Sequence, residues 1–396
     1  MTHLLKNARI ILPDRVMRGC VEVRGGTISA VYEGAARAGV YGAVTDLEGR
    51  CLSSGFVEIH THGAGGADFM DGTPQAYQTA CAAHLAHGTT TVFPTLLADS
   101  WPEIRRSLAA FRAAKAGLEQ LGMTLPGVHL EGPYLNPEQK GAICEQYIHN
   151  PDPQEYEPLL EEYGNDIARW TIAPELPGAM ELGDRLRELG IVASAGHSNA
   201  VYAQVKESAA HGFTHVTHLY SAMSTITRKG GFRHSGLLES AFCLPELTVE
   251  IIADGCHLPP ELLRLVYETK GVRRTALTCD SMRCAGQSVR ESYLGRMGEG
   301  QRVVIEDDVA KLPDRSAFAG SVAPDDRLVR VMHRQAGVPL HDTVRMMTLT
   351  PAEIMGVSDR KGSIAVGKDA DLVCFDDDIH IAGVMARGLW RTGGLS

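Results

Sequence analysis

Eight short apolar segments recur through the middle of the chain, separated by stretches with apolar residues three and four positions apart. The short segments have the length and composition of buried strands, and the stretches between them have helical periodicity. Strands that alternate with helices form parallel sheets, so eight such pairs predict an α/β fold, the (β/α)8 TIM-type barrel. The predicted strands are GFVEIHTH, TTVFPTLL, GVHLEGP, ARWTIAPE, IVASAGHS, THVTHLY, TVEIIADG and TALTCD. The clearest helices are predicted at 74–88, 101–117, 180–190 and 260–271.

The two ends of the chain have a different pattern, in which apolar and polar residues alternate over short runs. Gly25-Gly26 lies between two such runs and predicts a hairpin. Similar runs follow near the C-terminus, at 362–376 and 380–388. We therefore expect residues 1–53 and 358–396 to form one small β-sandwich domain, and residues 54–357 to form the catalytic barrel.

Composition restricts the partners and the compartment. The formal net charge of -10 gives no reason to expect a basic face, so we expect no nucleic-acid partner. The nine cysteines form no CxxC pair, which argues against a disulfide framework. The chain has neither an apolar signal-peptide core at its start nor a run of the roughly 18 apolar residues that span a bilayer. We expect a cytoplasmic protein without membrane contact.

The first predicted strand ends in a pair of histidines, His60 and His62. Functional side chains of a (β/α)8 barrel lie at the carboxyl ends of its strands. Because side chains alternate along a strand, both imidazoles share one face, where they can bind a divalent metal. The alternative is a buried, hydrogen-bonded pair without a ligand.

Three more strands end in residues of metal-ligand type, Glu131, His197 and His218. Two histidines and one carboxylate suit a zinc ion with an open position for water. The same ligands also accept iron, manganese or cobalt, and the pattern leaves open whether one or two ions bind.

The last two predicted strands lead to candidates for acid–base chemistry. Asp280 ends the eighth strand and is a candidate metal ligand and general base, which can later protonate a leaving amine. His257 follows the seventh strand and is a candidate for binding substrate or polarising a carbonyl. A loop histidine without a role is the alternative for His257.

Other histidines are interpreted as structural. His129 lies two residues before Glu131 and is expected to fill an inner layer of the barrel. His215 lies three residues before His218, so strand alternation predicts that it points to the opposite face. A structural or exposed role is also expected for His84, His87 and His211.

These residues, in this order, resemble the N-acetylglucosamine-6-phosphate deacetylase family of the amidohydrolase superfamily. The resemblance implies a barrel with a small β domain, a homodimer, and metal-dependent hydrolysis of an N-acetyl amide. The implied substrate is the amino sugar N-acetylglucosamine 6-phosphate, and the products are glucosamine 6-phosphate and acetate. The matching segments are GFVEIHTHGAGG, HLEGPYLNPEQKGA, AGHS, THLYSAM, ADGCHLPP, LTCDSM and TPAEIMGVSDRKGSIAVGKDADLV.

The resemblance also implies roles for single residues. It assigns one metal to Glu131, His197 and His218, and in some members a second metal to the pair matching His60 and His62. The position of Asp280 is the catalytic acid and base, and that of His257 contacts substrate. Arg233 is the match to an arginine that binds phosphate, for which the guanidinium fork is well suited. Substrate contacts are further implied for Ser221, Ala222, Phe318, Ala319 and Gly320.

The chain departs from the family pattern at the sugar-phosphate end of the site. Ser221 stands where the family usually has asparagine, and Ile143 stands where some members have histidine. Around Arg233 the sequence is GGFRHSG, which aligns only approximately with the family. These departures concern the identity of the substrate and its phosphate more than the deacetylase chemistry.

Two alternative functions are open at this point. The first is another hydrolase of the superfamily, acting on a different N-acyl amino sugar or a D-amino acid derivative. A dihydroorotase-like enzyme is disfavoured, because Glu131 takes the bridging position that a modified lysine has there. The second is a non-catalytic paralogue, which should have lost the ligands that this chain keeps. A thiol nucleophile is not needed beside a metal site, although Cys256, Cys279 and Cys284 lie near it.

Overall fold

The computed structural model describes residues 2–36 and 38–393, and its largest unit is a barrel of parallel strands. The strands pair with their neighbours in chain order, from the first strand to the eighth. Each strand coincides with one of the eight predicted segments to within one residue at its start, which confirms the barrel. The strands are β1 (Phe56–Thr61), β2 (Thr89–Leu97), β3 (Val128–Glu131), β4 (Ile167–Ile172), β5 (Val192–Ala195), β6 (Phe213–Val216), β7 (Thr248–Ile252) and β8 (Thr275–Thr278).

Helices follow the strands, and their apolar faces share one large hydrophobic core with the barrel. The four helices predicted from periodicity are confirmed within a few residues. Gly190 has a left-handed φ of 71° just after the third of them, as a residue that ends a helix often does. Within the described residues, no helix is long and apolar enough to span a membrane. The α-helices are Pro74–Ala86, Trp101–Gln120, Pro153–Tyr163, Ala179–Glu188, Tyr202–Ala210, Leu237–Cys243, Pro260–Lys270, Asp325–Arg330, Leu340–Met347 and Leu349–Ile354.

Discrete hydrogen bonds join β8 to β1 and bring the two ends of the barrel sheet together. The backbone N–H of Asp280 donates to the carbonyl oxygen of His60 at 3.0 Å. The buried carboxylate of Glu58 accepts hydrogen bonds from the backbone N–H of Cys279 at 2.9 Å and of His60 at 2.8 Å. A backbone hydrogen bond and the Glu58 carboxylate therefore hold the strand end with His60 next to the strand end with Asp280.

Strands from both chain ends form one further sheet, which encloses a hydrophobic core of its own. Gly25 and Gly26 have φ values of 58° and 82°, and they form the predicted hairpin turn. The strand after this turn also bonds to the C-terminal segment, because Ile28 N–H donates to Lys368 O at 2.9 Å. The sheet thereby folds over its core, which confirms a small β-sandwich built from both termini. Its strands are Thr2–Ile11, Val16–Arg24, Thr27–Glu33, Ala43–Asp46, Cys51–Ser54, Leu372–Phe375, Ile381–Ala386 and Leu389–Thr392.

Two insertions follow barrel strands at the carboxyl ends. An exposed hairpin, Thr227–Lys229 with Phe232–His234, follows β6. A three-stranded sheet follows β8 and consists of Glu291–Leu294, Gln301–Glu306 and Val309–Lys311. The loop from this sheet to the helix Asp325–Arg330 returns to the end of the barrel.

A buried ion pair in the small domain generates a stability prediction. Lys361 is 5% exposed, and its ammonium lies 2.6 Å from Asp371 and 2.8 Å from Asp369. Lys361→Met should lower the free energy of unfolding by about 3–5 kcal/mol, because it leaves a buried carboxylate without its cation. Urea unfolding measures this change. Lys206→Met, at an exposed position, should change stability by less than about 0.5 kcal/mol, and equal effects of both substitutions would contradict the argument.

Candidate active site

Three predicted ligands meet at the carboxyl ends of β3, β5 and β6. The Nε2 atoms of His197 and His218 each lie 3.1 Å from Oε1 of Glu131, and they lie 3.1 Å from each other. All three side chains are buried. Donor atoms that share a zinc ion at about 2.0–2.1 Å have comparable separations in tetrahedral geometry. The three residues therefore have the arrangement of a metal site.

A second group lies beside the first and includes the end of β1. His60 Nε2 and His62 Nε2 lie 3.4 and 3.3 Å from Oδ1 of Asp280. Glu131 also contacts this group, with Oε1 3.4 Å from His60 Nε2 and Oε2 3.1 Å from His62 Nε2. Glu131 thus lies between the two groups, as expected for a bridging carboxylate.

Three of these residues lie two positions after the end of their strands and have an uncommon backbone conformation. His197, His218 and Asp280 have φ values of 47°, 26° and 46°. Residues other than glycine rarely adopt such values, which cost on the order of 1–3 kcal/mol each and concentrate at functional sites. The turn ends each strand and directs the side chain toward the centre of the barrel mouth.

The charges of the site favour a cation. Burial alone would raise the pKa of Glu131, but His60, His197 and His218 hold it well below its usual value. Burial alone would lower the pKa of His62, yet its close contacts with the carboxylates of Asp280 and Glu131 raise it to about 9. In the metal-free chain, a proton on His62 therefore offsets part of the negative charge of the two carboxylates. A divalent ion supplies positive charge in the same place when it replaces that proton.

The hydrogen bonding of the histidines also fits metal ligation. His197 directs Nδ1 to the backbone carbonyl of Gln139 at 2.7 Å, so that its Nε2 faces Glu131. Such a bond fixes the tautomer and ring orientation of a metal-binding histidine. Among the described residues, His60 Nε2 and Asp280 Oδ1 are buried and have ion-pair contacts of 3.3–3.4 Å but no hydrogen bond, which is costly unless another group binds there.

A cavity of about 380 Å³ opens above both groups. Its size suits a small molecule such as a sugar. A larger cavity of about 840 Å³ lies along the N-terminal strands, but its described lining includes none of the metal-site residues. We therefore assign function to the smaller one. It is lined by His62, Glu131, His197, His218 and Asp280, with Leu97, Glu138, Gln139, Gly141, Ala142, Ile143, Ser221, Ala222, Ile252, His257, Leu294, Ala317, Phe318 and Gly320.

His257 lies at the wall of this cavity, and an aspartate holds it in place. Asp254 Oδ2 lies 2.8 Å from His257 Nδ1, and Asp254 Oδ1 accepts the backbone N–H of His257 at 2.8 Å. Burial alone would raise the pKa of Asp254, but the bonds to His257 lower it. The ring of Phe318 packs edge-on against His257 at a centroid distance of 4.9 Å. The carboxylate and the phenyl ring together fix the orientation of the imidazole.

The predicted substrate contacts divide into two sets. Ser221, Ala222, Phe318 and Gly320 line the cavity, whereas Ala319 is fully buried behind it. Arg233 lies on the exposed hairpin, outside the cavity lining, and its guanidinium donates to Gly231 O at 3.2 Å. The Arg233 side chain of this chain therefore does not line the cavity of the same chain.

The interpretation of His215 needs a correction. Alternation predicted that it points away from His218, but its Nε2 lies inside the barrel, 3.4 Å from Oε2 of Glu250. The strand β6 ends at Val216, and the positive φ of His218 breaks the alternation between the two histidines. The interpretation of His215 as a structural residue is unaffected. His129 does occupy an inner layer, with Nε2 2.7 Å from Thr171 Oγ1.

Sequence reasoning missed three buried charged residues, Asp254, Arg169 and Glu250. Arg169 and Glu250 interrupt the otherwise apolar strands β4 and β7, and both are fully buried. A charge in the middle of a buried strand is itself a signal, because such residues are almost never buried without a partner. Asp254 precedes His257 by three residues, a spacing that could have indicated their contact.

Comparison with known proteins defines the class. The amidohydrolase family model matches residues 52–391, which cover most of the chain. Solved structures support the same class at the level of the whole fold. The structure of N-acetylglucosamine-6-phosphate deacetylase from Pasteurella multocida matches with a TM-score of 0.91 and 28% identity, over 98% of this chain and 99% of that one. The chain belongs to the amidohydrolase family.

Beyond the family model, individual proteins that match this chain are N-acetylglucosamine-6-phosphate deacetylases, which confirms the resemblance seen in the sequence. The enzyme of Bacillus subtilis (strain 168) is 31% identical over 388 residues, covering 97% of this chain and 96% of that protein. An aspartate-to-alanine mutant from Mycobacterium smegmatis, solved in complex with N-acetyl-D-glucosamine-6-phosphate, has a TM-score of 0.89 and 30% identity, over 99% of both chains. None of these comparisons favours a different amidohydrolase or a non-catalytic paralogue.

The site generates a prediction about metal and stability. Zinc added to chelator-treated protein should raise the melting temperature, because at 100 times Kd an ion that binds the folded state adds about 2.7 kcal/mol. Glu131→Ala should abolish most of this increase, since Glu131 contacts both ligand groups. Differential scanning calorimetry with and without zinc measures it. Glu207→Ala removes an exposed carboxylate and should keep the full increase, and a full increase in Glu131→Ala would exclude Glu131 as a ligand.

Proposed function

We propose that this protein hydrolyses the acetyl amide of N-acetylglucosamine 6-phosphate to glucosamine 6-phosphate and acetate. One observation carries the proposal: the four imidazoles and two carboxylates meet at the floor of a sugar-sized cavity. The chain shares its fold over 99% of its length with the Mycobacterium smegmatis deacetylase solved with this substrate, and it is 31% identical to the Bacillus subtilis deacetylase over 97% of its length. The barrel, residues 54–357, is the proposed catalytic unit, and residues 1–53 and 358–396 are the proposed small domain.

The proposed metal site has two parts, with Glu131 between them. Glu131, His197 and His218 hold one ion, and His60, His62 and Asp280 are the ligands for a second. We propose zinc, because imidazole and carboxylate ligands suit it, and iron, manganese or cobalt are the alternatives. A bound divalent ion lowers the pKa of a water and polarises the acetyl carbonyl.

Asp280 is the proposed general base and acid. It lines the cavity, and its Oδ1 has no hydrogen-bond donor among the described residues. Burial alone would raise the pKa of Asp280, but His60 and His62 lower it, so the carboxylate is ionised at neutral pH. Ionised, it can take a proton from the attacking water and then give it to the departing amine.

His257 is the proposed second catalytic residue. Because Asp254 occupies its Nδ1, the Nε2 atom is available to the cavity. A hydrogen bond from Nε2 to the acetyl carbonyl, as negative charge develops on the oxygen, requires a proton on both ring nitrogens, with Nδ1 donating to Asp254 and Nε2 facing the cavity. Asp254 thus acts through His257 as a positioning residue.

The remaining proposed contacts concern the sugar and the acetyl group. Ser221 and Ala222 lie on the wall reached by β6, and Phe318 and Gly320 lie on the wall near His257. Ala319 supports the same loop from behind, where its N–H donates to Ala310 O at 3.0 Å. Arg233 is the proposed phosphate ligand. A homodimer in the cytoplasm remains our proposal for the state of the protein.

Replacement of Asp280 tests the chemistry. Asp280→Asn should lower kcat by about 10²–10⁴-fold, because the amide accepts no proton from water. Acetate release measures kcat, and metal content by mass spectrometry shows whether the variant keeps its ions. Asp308→Asn, at an exposed carboxylate, should retain full activity. A folded Asp280→Asn enzyme with bound metal and full activity would refute the assignment.

A comparison of two sugars tests the substrate. Metal-loaded enzyme should release acetate from N-acetylglucosamine 6-phosphate with a higher kcat/KM than from N-acetylglucosamine, and chelated enzyme should release none. Arg233→Ala should reduce kcat/KM for the phosphorylated sugar much more than for the other, because it removes a charge-assisted bond to phosphate. Arg228→Ala on the same exposed hairpin is the matched control. Equal losses on both sugars would remove the phosphate role from Arg233.

A further inference from the structure

Beneath His60, the barrel contains a buried ion pair that the proposed chemistry does not use. Glu250 on β7 and Arg169 on β4 are both 0% exposed. The guanidinium contacts the carboxylate through two nitrogen atoms, with Nη1 2.5 Å from Oε2 and Nη2 2.9 Å from Oε1. Two such parallel bonds fix the direction of both groups.

The carboxylate of Glu250 reaches both halves of the proposed metal site. Its Oε1 lies 2.7 Å from Nδ1 of His60 and accepts the backbone N–H of His218 at 3.2 Å. The opposite nitrogen of the His60 ring, Nε2, lies 3.4 Å from Glu131 Oε1 and 3.4 Å from Asp280 Oδ1. A single carboxylate therefore holds one ligand by its ring and another by its backbone.

Arg169 is itself fixed from two sides. Its Nε donates to Ser194 Oγ at 2.9 Å, and its Nη2 donates to Thr217 Oγ1 at 2.8 Å. Ser194 belongs to β5, and Thr217 directly precedes His218. The guanidinium thus links β4, β5 and the end of β6 to the carboxylate on β7.

We propose that Glu250, held by Arg169, is a positioning residue that presents His60 Nε2 to a metal ion. The inference rests on the proposed function, because it requires that His60 is a ligand. A carboxylate on Nδ1 keeps the proton on that nitrogen, so that the lone pair lies on Nε2 and points toward Glu131 and Asp280. It also raises the basicity of the imidazole as a ligand.

A purely structural role does not account for this placement. Replacing a buried ion pair with apolar residues is often neutral or stabilising, so stability alone is weak grounds for keeping one. The carboxylate of Glu250 instead contacts the ring nitrogen opposite the donor atom of a proposed ligand. The pair is therefore placed where it controls the orientation and tautomer of His60.

Titration of metal-free protein with cobalt(II) tests the proposal, because visible absorption reports both the number of bound ions and their ligand geometry. In Glu250→Gln, the affinity for the ion bound by His60 should fall about 10–100-fold, and its absorption bands should change. The ion bound by His197 and His218 should remain. Asp371→Asn is the control, since it neutralises a buried carboxylate that pairs with a lysine away from this site.

A double variant separates positioning from charge balance. Glu250→Gln alone leaves Arg169 without its counter-ion, and an uncompensated buried charge destabilises the folded state of the single variant. Arg169→Met combined with Glu250→Gln removes both charges and should still bind the His60 ion weakly, with altered absorption bands. Wild-type binding curves and spectra in either variant would overturn the proposal. If instead wild-type protein binds cobalt but releases no acetate from the phosphorylated sugar, the proposed function fails while the binding test of Glu250 stands.

Discussion

The site depends on the contacts that the carboxylate of Glu131 makes with four histidines. Four imidazole nitrogens, from His60, His62, His197 and His218, lie between 3.1 and 3.4 Å from its two oxygens. A buried carboxylate is costly without positive charge nearby. The strand ends that carry these histidines must therefore stay together, and a cation between them satisfies the whole group.

The barrel supplies this arrangement through its closure and its interior. Glu58 holds the backbone of β1 against β8, which places His60 next to Asp280. Below them, burial alone would raise the pKa of Glu250, but Arg169 and His60 keep it well below its usual value. The interior is thus a layer of paired charges under the proposed metal ligands. Such a layer is rigid, because each carboxylate is held from more than one strand.

The small domain and the exposed hairpin stand apart from this centre. The sheet from both termini has its own hydrophobic core, and none of its described residues lines the cavity above the proposed metal ligands. The hairpin carries Arg233 outside that cavity. The proposed chemistry and the proposed phosphate contact of Arg233 therefore lie in different parts of the chain. The departures from the family pattern occur in both, because Ser221 and Ile143 line the cavity and the segment around Arg233 forms the hairpin.

The sequence by itself determined the barrel, the small domain and the residues that converge at the strand ends. These follow from local signals, because hydrophobic periodicity marks each strand and ligand-type side chains lie at or near the ends of several of them. Only the tertiary structure decided that Glu131 lies between two groups, that Asp254 holds His257, and that Glu250 meets His60 across 190 positions of the chain. It also decided that His215 faces inward. Such contacts depend on strand register and on positive φ values after the strands, which residue spacing does not encode.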